Sequence, residues 1–134
     1  MMIYKILTAR DWQVFADQGH FTGSAVDLAD GYIHFSTAKQ LAETLARHYA
    51  GAPNLVLLTV NPDRLDAAHL RWEEARGGQL FPHLYARLDL AAVENTMPLS
   101  LDAKGRHILP ADLNGDDPKH EPFLGPVASR AVSA

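Results

Sequence analysis

Gly31-Tyr32-Ile33-His34-Phe35-Ser36-Thr37 alternates along its length, and that alternation decides the fold. Read as a strand, it sends Tyr32, His34 and Ser36 to one side and Ile33 and Phe35 to the other. The apolar side closes onto a core. The polar side sets a phenol, an imidazole and a hydroxyl in one row, about 7 Å between alternate residues. Thr37 has the chemistry of a helix N-cap, with Gln40 placed to complete a capping box. A polar strand face running into a helix start is a natural ligand-binding corner, because the first-turn N–H groups have no partner inside the helix.

Upstream, Ile3 to Leu7 reads as a strand and Thr8 as the N-cap of a helix from about Ala9 to Gln18. Asp11 suits its first turn, Trp12, Phe15 and Ala16 its inner face, and Gly19 its end. His20 to Asp30 reads as a loop, closing on the turn signal Asp30-Gly31. Downstream, Leu41, Leu45 and Tyr49 recur at every fourth residue, so Ala38 to Ala50 is helical and Gly51 stops it. Leu55-Val56-Leu57-Leu58-Thr59-Val60 is nearly continuous in apolar residues, the mark of a central strand covered on both faces.

Arg64 to Ala75 reads as a short helical turn followed by a strand through Trp72, itself a core residue. In Leu80 to Leu88 the alternation sets His83, Tyr85 and Arg87 against Leu84, Ala86 and Leu88. Pro82 confines the start of that segment to an edge, a bulge or a strand entrance. Ala91 to Leu101 is a strand, and Asp102-Ala103-Lys104-Gly105 turns it back on Ile108-Leu109. The reading is therefore an α+β fold with two main helices and five to seven strands. Residues 1–110 form one domain, and 111–134 form an irregular tail rich in proline and charge.

Composition bounds the function. A chain of 134 residues makes one domain that buries roughly two-thirds of its unfolded surface. With a net charge of −4, a broad basic face for nucleic acid is not expected. There is no cysteine, which excludes disulfides, thiolate nucleophiles and sulfur-ligated zinc. The start turns polar too quickly for a secretory signal and no apolar run reaches a membrane span, so a cytoplasmic protein without membrane attachment is expected. The oligomeric state is not readable.

Two rows carry the candidate chemistry: Tyr32, His34, Ser36 and His83, Tyr85, Arg87, with Glu73-Glu74 as a third contributor. If they converge, the cleft suits an anionic, ring-containing ligand. Arginine and helix N–H groups would take phosphate, tyrosine would stack, and histidine would bond a sugar hydroxyl. Each residue also has a structural reading, the histidines as satisfied strand residues and the tyrosines as packing with a wet hydroxyl. His34, His83 and Glu73 would make a two-histidine, one-carboxylate metal set, but no short ligand spacing supports it and no metal is expected. Ser36 with His34 lacks the Gly-x-Ser-x-Gly turn of a serine hydrolase.

Asp30-Gly31-Tyr32-Ile33-His34-Phe35-Ser36-Thr37 with Gln40, Trp72-Glu73, and Phe81-Pro82-His83-Leu84-Tyr85 together resemble the bacterial family called domain of unknown function 952. Tyr4-Lys5-Ile6-Leu7-Thr8 and Trp12 add to the likeness, which covers about residues 2 to 110. That family is similar in fold to the ADP-ribosyltransferases, including the RNA 2′-phosphotransferase branch. The resemblance implies a split, strongly bent, mixed or antiparallel sheet that holds NAD in a cleft. It implies that His34 bonds the adenosine-side ribose and that Ser36, beside Thr37, holds the nicotinamide end. Tyr85 or Tyr32 would stack on nicotinamide, and His83 or Glu73 would face the reacting ribose. His34, Glu73 and His83 are thus the implied catalytic residues, and Tyr32, His34, Ser36, Thr37, Tyr85 and Arg87 the implied NAD contacts. The activity implied is transfer or hydrolysis of an ADP-ribosyl group. Phe35 stands where those enzymes usually have glycine, and Glu94 is the nearest counterpart of their last-strand glutamate, which leaves a non-catalytic nucleotide- or metabolite-binding domain as the alternative.

Overall fold

The computed structural model describes residues 1–111 and 113, so the tail expectation falls almost wholly outside the described residues. The elements are β1 (Ile3–Thr8), α1 (Ala9–Gln18), β2 (His20–Phe21), α2 (Ala25–Asp30), β3 (Ile33–His34), α3 (Ala38–His48), β4 (Leu55–Val60), β5 (Leu70–Glu74), β6 (Leu80–Leu84), β7 (Leu88–Asp89), β8 (Val93–Leu101) and β9 (His107–Ile108). Among the described residues the class is α+β, as read, with the two main helices α1 and α3, a short third helix α2, and nine strands in place of five to seven. Every paired strand is antiparallel. The β-structure curls into three ladders, ordered β1-β4-β8-β9, β3-β6-β5 and β2-β7. A single bridge from Tyr4 to Ser36 ties the first ladder to the second.

β4 lies in the middle of the large ladder and buries both faces, as its apolar run requires. Leu55 and Leu57 join Tyr4, Ile6, Leu41, Leu45 and Leu99 in a core beneath α3. Val56, Leu58 and Val60 join Ile3, Leu7, Phe15, Ile33, Phe35 and Leu84 in a second core on the opposite face. Each such side chain contributes about 1.5–3 kcal/mol relative to exposure. The second core is what seats the small ladder β3-β6-β5 against the large one.

α1 forms where its local signals place it. The Thr8 hydroxyl accepts from the Asp11 N–H at 3.0 Å, and Gly19 closes the helix at φ 84°, a left-handed conformation suited to glycine. Thr8→Ala should therefore lower stability by about 1 kcal/mol in urea denaturation, with Thr8→Ser recovering most of it. An unchanged midpoint would show the cap contributes nothing.

Three expectations are corrected. The loop over His20 to Asp30 contains β2 and α2, and α2 carries its own capping pair: the Ser24 N–H donates to Asp27 Oδ2 at 2.9 Å, and Gly31 ends the helix at φ 91°. Pro82 is not at an edge, since β6 is the middle strand. Its carbonyl accepts from Phe35 N–H at 3.0 Å, and the position of its missing N–H falls just past the end of β3, where the ladder loses little. Trp72, read as core, is 39% exposed on β5. Among the described residues no helix is long and apolar enough to cross a membrane.

Candidate functional site

The site is one face of the small ladder. β3 pairs with β6 so that His34 lies opposite His83, and β6 pairs with β5 so that His83 lies opposite Arg71. By alternation, Tyr32 and His34, then Phe81, His83 and Tyr85, then Arg71 and Glu73 share this side. The opposite side sends Ile33, Phe35 and Leu84 into the core. Phe35, at the position of the expected glycine, thus points away from the site.

Four rings make a compact cluster. Tyr32 stacks on His83 with centroids 4.1 Å apart, and lies 4.6 Å from His34 and 5.1 Å from Tyr85. His83, only 4% exposed, is the floor of the cluster, with Tyr32 above it. Three carboxylates hold the rings. Glu73 Oε1 accepts from Tyr85 Oη at 2.7 Å and contacts His83 Nδ1 at 2.7 Å. His34 Nδ1 meets Asp27 Oδ1 at 2.6 Å and Nε2 meets Asp30 Oδ2 at 2.8 Å. Both His34 contacts are hydrogen bonds together only when the ring carries both protons, because a carboxylate accepts and does not donate.

Asp27 anchors one end. It is 2% exposed, and its oxygens receive Lys5 Nζ at 2.9 Å, His34 N–H at 3.1 Å and Ser24 N–H at 2.9 Å besides the His34 ring. Burial by itself would raise its pKa. The His34 contact, the Lys5 charge and the Ser24 N–H overcome that and hold the carboxyl well below the usual range. Burial pushes the Lys5 ammonium down, partly offset by Asp27. At the other end, the His83 contact and then the Tyr85 hydroxyl hold the Glu73 carboxyl below its ordinary value. The same bond to Glu73 pushes the Tyr85 phenol up. Glu73 is therefore a fixed, ionised carboxylate at the surface of a ring cluster.

The structure gathers Tyr32, His34, Glu73, His83 and Tyr85. It does not bring in Ser36, Thr37 or Arg87. Ser36 is buried and its hydroxyl pairs with that of Thr44 at 3.0 Å, because regular pairing in β3 stops at His34 and the chain turns to the bridge with Tyr4. Thr37 N–H is taken by Gln40 Oε1 at 2.9 Å, so this start of α3 is closed on itself. Gln40 also donates to the Leu80 carbonyl at 2.9 Å and so fixes α3 to β6. β6 ends at Leu84, so the alternation that carried Arg87 inward does not hold, and Arg87 pairs with Asp89 at 3.0 Å in the open. Glu94 contacts Asn61 and Arg64, outside the ring cluster.

An open hollow of about 270 Å³ adjoins the cluster, walled by Asp27, Gly31, Tyr32, Leu84 and Tyr85. Among the described residues no group of three or more histidines, aspartates or glutamates is arranged to hold a metal ion.

Sequence reasoning passed over Lys5, Asp27, Asp30 and Arg71. Lys5 was legible as the one charged residue in phase with Ile3 and Leu7 on β1. Asp27 was legible as the third residue after Ser24, the spacing of a capping box.

The fold and site define a small α+β domain whose polar sheet face carries an acid–imidazole–tyrosine cluster. The chain belongs to the family described as "Protein of unknown function (DUF952)", whose model matches residues 6–96. It is similar to protein CC0527 from Caulobacter crescentus. The crystal structure of that protein is 46% identical, with a TM-score of 0.80, over 85% of this chain and 99% of that one. Its solution NMR structure matches at 48% identity and a TM-score of 0.71, over 78% and 90% of the two chains. No curated protein matches the chain.

Proposed function

We propose that the ring cluster with Glu73 is the active face of an NAD-linked enzyme that transfers or hydrolyses an ADP-ribosyl group. The observation that carries this reading is Glu73 Oε1, which takes contacts from both His83 and Tyr85 at 2.7 Å. Breaking the bond between ribose C1 and the nicotinamide nitrogen sends the electron pair to nicotinamide and leaves oxocarbenium character on the sugar. An ionised carboxylate fixed beside that carbon stabilises the developing charge. A water or an acceptor hydroxyl then bonds to C1 and releases its proton. Tyr32 and Tyr85 border the place the nicotinamide would take, and the family resemblance implies that one of them stacks on it. In this reading His83 does not touch substrate; it positions Glu73.

The second reading is a nucleotide- or metabolite-binding domain without turnover. It is favoured by His34, whose two ring nitrogens are already occupied by Asp27 and Asp30, leaving no ring donor for a ribose hydroxyl. Calorimetric titration with NAD and ADP-ribose, together with assay of nicotinamide release, separates the two. Release from NAD supports the enzyme, binding without release supports the second reading, and no binding of either at millimolar ligand removes the enzyme.

A further inference from the structure

Arg71 lies across from His83 in the β5–β6 register and two residues from Glu73 on the same strand face. Its guanidinium sits 5.3 Å from the centre of the Tyr85 ring. The other cations near this face are engaged. Lys5 is held by Asp27, Arg76 donates to Thr44 Oγ1, and the His34 and His83 rings meet carboxylates. Among the described residues the Arg71 side chain makes no contact ion pair and no hydrogen bond. Glu73, its nearest carboxylate neighbour on the face, is turned to His83 and Tyr85 instead.

An arginine fork laid over a phenol, exposed and in no contact ion pair, has its N–H donors available to an incoming anion, although its charge also acts on Glu73. Arg71 and Glu73 are alternate residues on one strand face, with backbones about 7 Å apart, so a ligand of the length of a pentose bearing a 5-phosphate can meet both.

We infer that Arg71 binds the 5-phosphate of a ribosyl ligand whose C1 lies at Glu73, so that the ligand class of this face is a 5-phosphorylated riboside. The placement of C1 rests on the function proposed above; the phosphate contact at Arg71 does not.

Nicotinamide mononucleotide and nicotinamide riboside differ only in that phosphate and make the test. Wild-type protein should bind the mononucleotide at least roughly tenfold more tightly, the scale of one charge-assisted contact. Arg71→Gln should erase the preference by weakening the mononucleotide alone, and Arg71→Lys should keep part of it. A preference that survives Arg71→Gln, or an equal loss for both ligands, overturns the inference. If the wild type binds neither pyridine compound, ribose 5-phosphate decides the phosphate contact, and NAD and ADP-ribose decide the proposed function. Perturbation of Arg71 and Tyr85 NMR signals by ribose 5-phosphate, absent in Arg71→Gln, keeps the phosphate contact; perturbation indifferent to the substitution, or none in the wild type, rejects it.

Discussion

Asp27→Asn should destabilise the protein by about 3–5 kcal/mol, the cost of leaving one member of a buried ion pair without its partner. The carboxylate and the Lys5 ammonium are both nearly inaccessible, and Lys5 Nζ has Asp27 as its anionic partner. An asparagine of the same shape still accepts hydrogen bonds but cannot balance the charge. Lys5→Met should cost less, because Asp27 would retain the His34 ring, the His34 N–H and the Ser24 N–H. Guanidinium denaturation of both variants checks the order, and an equal or larger loss from Lys5→Met would refute this account of the pair.

The pair also predicts how stability responds at the two ends of the pH scale. Asp27 is depressed in the folded state, so its contribution is present above the ordinary carboxylate pKa of about 3.9 and declines as pH falls below it. Asp27→Asn should therefore show a shallower acid limb than the wild type. Lys5 is depressed too, and a depressed amine means that the unfolded chain binds more protons. Stability then rises with pH through that window, so the deficit of Asp27→Asn should shrink in alkaline buffer.

Elements fixed by neighbouring residues are legible in the sequence, and contacts between distant ones are not. α1 and the hairpin turn at Asp102–Gly105 are set by residues within a few positions of each other, and both stand where the local pattern puts them. β4 was legible because an unbroken apolar run has few alternatives. α2 was not, since at six residues it is too short to show a period, and its apolar Val26 and Leu28 face solvent. The site shows the same division. Tyr32, His34, His83 and Tyr85 come together because the two-residue period of β3 and β6 persists one residue beyond the strands, to Tyr32 and Tyr85. Ser36 and Arg87 lie two and three residues beyond the strand ends, where the period no longer holds. Lys5 and Asp27 each carry a local mark, but their pairing spans 22 positions, which no local pattern encodes.

Glu73→Gln should lower nicotinamide release from NAD by about 10²–10³ in kcat, with little change in the affinity for ADP-ribose. The side chain keeps its size, and a glutamine oxygen still accepts from Tyr85. What is removed is the negative charge that, in the function proposed, only the oxocarbenium-like transition state needs. Tyr85→Phe separates charge from positioning. It deletes one of the two contacts that hold Glu73 below its ordinary pKa, so the carboxylate should take up a proton at higher pH. Release by the wild type should persist as pH falls to the ordinary glutamate value of about 4.3, and the variant should fail earlier. The sign follows from which form works: the ionised carboxylate is active, and whatever raises its pKa moves the acid limb upward. A Glu73→Gln enzyme as fast as the wild type would mean that the cluster's carboxylate is structural. A Tyr85→Phe profile that fell in rate without shifting along the pH axis would mean that Tyr85 stacks on the ligand and does not hold Glu73.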